Sequence, residues 1–66
     1  MKITFSEDKK GKQIIHQARV EQSFSTGDGH GDFCLTAYGE TQWDAQENLR
    51  ELAQRMIREL DTVKSP

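Results

Sequence analysis

The chain has one cysteine, Cys34, among 66 residues. No disulfide can close within it, which argues against a disulfide-stapled secreted scaffold and fits a reducing cytosol. Long apolar runs are missing too. Nothing approaches the ~18 residues that a membrane span needs. The opening Met1-Lys2-Ile3-Thr4-Phe5 lacks the apolar stretch of a signal peptide. A basic excess is also absent: the formal net charge is -2 and the pI is about 5.6. Nucleic-acid modules usually carry a basic stripe or a high pI, so the composition disfavours that class. Hydrophobic residues make up 33%, enough for one thin core between two layers but not for a deep substrate cavity. A core of this size seldom supplies more than about 3–5 kcal/mol. The expectation is one cytoplasmic domain, 1–66, with no cofactor and no membrane contact, that gains stability as a homo-oligomer.

What is present is alternation followed by a helix. In residues 2–6, Ile3 and Phe5 share one side and Lys2, Thr4 and Ser6 the other, the period-2 pattern of a half-buried strand. The polar stretch 7–12 carries Gly11, suited to the positive φ of a bulged hairpin turn. Residues 13–24 alternate again. Ile14, His16, Ala18, Val20, Gln22 and Phe24 form one face, and Ile15, Gln17, Arg19, Glu21 and Ser23 the other. The second face is nearly all polar, as in an antiparallel sheet covered on one side. A glycine-rich connection, 25–31, leads to a third strand, 32–38. There Phe33, Leu35 and Ala37 face inward and Cys34, Thr36 and Tyr38 outward.

From about 42 to 61 the spacing predicts one amphipathic helix. Ala45, Leu49, Leu52, Ala53, Met56, Ile57 and Leu60 fill an arc of roughly 140°. Thr41 and Asp44 fit a capping box, and Glu51 with Arg55 fits an i,i+4 pair. The fold class expected is α+β, a three-stranded antiparallel sheet with one C-terminal helix on one face, in the order β-β-β-α.

No residue set reads as a complete active site, so a non-enzymatic protein is expected. Asp28, His30 and Asp32 place possible metal ligands in the glycine-rich stretch. They lack the terminal liganding acid of a calcium loop, and a plain connection is the simpler reading. His16 and Cys34 fall on opposite strand faces, which separates a nucleophile from its base. Trp43, in the first helical turn, is expected to pack against the sheet edge. Left exposed, it would be the strongest candidate interface anchor, because tryptophan is enriched at binding hot spots. Tyr38 and Arg19, on the outer sheet face, complete the candidate protein-binding set. Lys9, Lys10 and Lys12 form the only local basic run and follow Glu7 and Asp8. They are the candidate contacts for an alternative reading as a small nucleic-acid-binding domain.

Residues 38–49, and in particular Gly39, Thr41, Asp44, Ala45 and Asn48, resemble the strand-to-helix motif of the HicB antitoxin family. The match runs over roughly residues 33–57, and the β-β-β order agrees with that family's N-terminal core. The Pro-Gly-Cys step common there before the third strand is replaced by Gly-Asp-Gly-His-Gly. No room remains for the segment with which full-length members bind operator DNA. The resemblance implies a module, antitoxin-like or of phage type, that masks a partner such as a toxin or host factor. Self-association through a sheet edge is expected separately, because an unpaired edge strand is a template for pairing with another chain. The double-stranded-RNA-binding fold is a second comparison. It needs a leading helix and a lysine-rich start to its final helix, and this chain has neither.

Overall fold

The structure, a computed structural model, describes residues 2–62. Met1 and residues 63–66, part of the expected domain, lie outside the described residues. Three strands, β1 (Ile3–Lys10), β2 (Gln13–Ser25) and β3 (His30–Gly39), are followed by one helix, α1 (Gln42–Asp61). The strands form one antiparallel sheet in the order β1-β2-β3. This is the α+β, β-β-β-α architecture that the alternation predicts.

Register explains which residues meet. Ile3 lies opposite Val20 and Phe5 opposite Ala18 across β1–β2. Val20 lies opposite Leu35 and Ala18 opposite Ala37 across β2–β3. This apolar row carries α1. Ala18, Val20, Ala37, Ala45 and Leu49 are buried, with Ile3, Phe33 and Leu35 packed partly against them.

Two strand boundaries differ from the sequence reading by more than one residue. β1 continues through Glu7, Asp8, Lys9 and Lys10, because β2 offers a partner to each residue, from His16 back to Gln13. The turn is then only Gly11 and Lys12. Gly11 has φ 65°, as the first position of a type II′ turn requires, and the one-to-one register leaves no bulge. β3 likewise begins early, at His30, paired with Ser25. The glycine-rich connection shrinks to residues 26–29, closed by Thr26 N–H donating to the Gly29 carbonyl at 2.6 Å.

The helix starts where its cap requires. Thr41 Oγ1 accepts from Asp44 N–H at 3.0 Å, so the hydroxyl half of the expected capping box is formed. Of the predicted stripe only Ala45 and Leu49 are buried, and Leu52 is already exposed. Ile57 and Leu60 are 55% and 64% exposed, because the packed core lies near the start of α1 and the helix runs beyond it. The ion pair on the helix is Arg55–Glu59, at 3.5 Å, in place of the expected Glu51–Arg55.

Candidate protein-binding surface

The side of the sheet away from α1 is a single uncovered face. Arg19 stands on it in β2, opposite Thr36 of β3 and Thr4 of β1. Its guanidinium donates through Nε to Glu21 Oε1 at 3.0 Å and pairs with the same carboxylate through Nη2. That hydrogen bond is the main cause that raises the Arg19 pKa above its ordinary value. Cys34 Sγ lies 4.0 Å from the same Glu21 oxygen. Tyr38 is 58% exposed and sits two residues along β3 from Thr36, diagonal to Arg19. A shallow depression beside Tyr38 is lined by Asp8, Lys10, Ile15 and Gln17. Arg19 and Tyr38 therefore share one surface of aromatic and charged groups.

Trp43 is not part of that surface. It does not pack on the sheet edge but is 66% exposed. At about 100° per residue it lies about 160° round the helix from the buried Ala45, so its indole points away from the sheet. The outer sheet face and the back of α1 are on opposite sides of a two-layer molecule. No single flat partner surface can include all three candidate residues.

The basic run is divided in the same way. Lys9 lies opposite Ile14 on the helix-bearing face, and Lys10 lies opposite Gln13 on the other. Lys12 is in the turn. Three cations close together in sequence become a scatter around a hairpin tip, with Glu7 and Asp8 in the same strand as two of them. In the glycine-rich region the Asp32 carboxylate accepts from Ser23 Oγ at 2.9 Å. Asp28 N–H donates to Thr26 Oγ1 at 3.3 Å. Among the described residues no three His, Cys, Asp or Glu side chains converge as a metal cluster. His16 pairs instead with Glu7, Nδ1 to Oε1 at 3.8 Å, and its position opposite Gly39 keeps it on the other face from Cys34. No described helix is long and apolar enough to cross a membrane.

The five residues that carry the family resemblance all belong to one joint, between the end of β3 and the start of α1. A Cβ on Gly39 would lie 2.7 Å from Asp44 carbon atoms, closer than real side chains approach, so only glycine lets the helix fold back so tightly. Thr41 caps the helix, and Asp44 supplies the capped N–H and an acidic first turn. Ala45 is fully buried. Asn48 Nδ2 donates to the Tyr38 carbonyl at 2.7 Å. Sequence reasoning located these residues but not Asn48's partner, because nothing in the spacing shows which carbonyl it reaches.

No protein family matches the chain, and no curated protein or solved structure matches it significantly.

Proposed function

We propose that this chain is a non-enzymatic protein-interaction module of the HicB type, which masks a site on a partner protein such as a toxin or host factor. The observation that carries the reading is the joint itself. Gly39, Thr41, Asp44, Ala45 and Asn48 are the residues of the resemblance, and each has a role in seating α1 on β3. The uncovered sheet face supports partner binding. Tyr38 offers a broad amphipathic ring there, and Arg19 is already oriented by Glu21, so little side-chain freedom remains to be lost on binding.

The test is to sequence the flanking genes and to co-express the chain with any small growth-arresting protein they encode, scored by relief of growth arrest and by co-elution. Complex formation with relief supports the reading, with Tyr38→Ala expected to weaken the complex at least tenfold. Persistent arrest with no co-elution would remove it. Retention of labelled duplex RNA or DNA at low salt, lost as salt rises, would instead favour the hairpin lysines.

A further inference from the structure

The two edges of the sheet differ in how they are protected. β1 ends in Glu7, Asp8, Lys9 and Lys10, and charge is a usual means of keeping an edge strand from pairing with another chain. β3 is ten residues long and carries one charged side chain, Asp32, which is already engaged by Ser23. Its pairing with β2 runs without interruption from Gly39 to His30, and none of its residues has positive φ. The strand is regular and nearly uncharged.

One end of this edge is occupied. Asn48 takes the Tyr38 carbonyl, and beyond His30 the chain turns into the Thr26–Gly29 closure. The open stretch is therefore residues 31–37, and its midpoint is Cys34. The molecule also exposes more surface than its mass requires. Its accessible area is 5798 Å², against about 4,300 Å² for a compact monomer of this mass. The radius of gyration is 14.8 Å, against about 11 Å for a compact chain of this length.

We infer that β3 pairs antiparallel with β3 of a second copy about a two-fold axis at Cys34, giving a six-stranded sheet with both helices on one face. This goes beyond the partner-masking reading and does not depend on it. Opposite residues in a sheet must share a face, so a symmetric pairing centres on one residue, and of the central three, Phe33, Cys34 and Leu35, only Cys34 lets the whole stretch 31–37 pair. The Cys34 centre sets Phe33 against Leu35 of the second copy twice, which continues the apolar row beneath the helices. The Phe33 centre would set Gly31 against Leu35 and leave that row thin. Gly31 and Ala37 then close the ladder at each end, short of the occupied Tyr38 carbonyl.

A residue on a two-fold axis faces its own copy, and that gives the test. Light scattering with size exclusion, from 1 µM to 1 mM, reads the association. Diamide, which takes up the two electrons and two protons released when two thiols join, reads the register. The expected result is a dimer whose chains become linked, reversibly by reductant, through Cys34. Cys34→Ser should dimerise without linking. Cys34→Asp and Cys34→Lys should each weaken the dimer at least tenfold, since either charge meets its like across the axis. Both variants should keep the circular dichroism spectrum of the parent chain, which separates a lost dimer from a misfolded monomer. A monomer throughout the range overturns the inference. So does a dimer that fails to link and tolerates both charges. Either result leaves the masking reading standing, because that is scored on the neighbouring protein.

Discussion

The side-chain amide of Asn48 donates to the backbone carbonyl of Tyr38 across 2.7 Å, tying the second turn of α1 to the edge strand ten residues earlier. A hydrogen bond of this kind contributes about 1 kcal/mol net. Asn48→Ala should lower the urea unfolding free energy by about that amount. Asn48→Asp should cost more, because a carboxylate would face a carbonyl where a donor stood.

Gly39 is held by space, not by φ. An added methyl meets the Asp44 backbone, and overpacking of this sort costs about 1–3 kcal/mol. Gly39→Ala should lower the thermal midpoint. Gly27→Ala, where nothing lies within 4 Å, should leave it nearly unchanged. Equal effects at the two positions would show that the joint tolerates separation.

The cap makes a separable contribution. Replacing a threonine N-cap by alanine costs about 1 kcal/mol, so Thr41→Ala should show that loss in chemical denaturation. Thr41→Asp, which keeps an acceptor for the Asp44 N–H, should restore most of it.

Stability should divide along the helix. Leu49 is 3% exposed, and Leu49→Ala should cost about 2–5 kcal/mol. Leu60→Ala and Trp43→Ala remove exposed side chains and should stay within about 0.5 kcal/mol. A large loss of stability in Trp43→Ala would show that the indole has a packing partner.

Face assignment was legible in the sequence because alternation in a strand leaves only two choices. Ala18, Val20, Leu35 and Ala37 all point where the pattern puts them, and Cys34 and Tyr38 point the other way. The strand ends were not legible. Glu7-Asp8-Lys9-Lys10 has the composition of a loop, yet it is a strand because β2 provides a partner for each residue. A local pattern cannot show the length of its partner. The helix shows the same limit. Its apolar stripe is continuous in sequence, but burial of Leu49 and exposure of Ile57 and Leu60 depend on where the Gly39 joint sets the helix on the sheet. The division of Trp43 from Tyr38 and Arg19 is likewise a property of the two layers. Only the angular position of Trp43 relative to Ala45 hinted at it.

β2 outlasts β1. Its pairing with β1 stops at Val20, opposite Ile3, while its pairing with β3 continues to Ser25. The last part of β2 and the first part of β3 thus form a two-stranded arm. Its main apolar contact is the Phe24–Phe33 stack, with ring centroids 5.5 Å apart, whereas the buried cluster sits toward the joint. Isolated two-stranded ribbons are marginal in water, and local opening follows sparse packing. In the monomer, at concentrations below any self-association, amide protons should therefore exchange on a gradient, slowest around Ala18 and Ala37 and fastest from Gln22 through Asp32. The same long strand then carries the last region to open and, at its other end, the first.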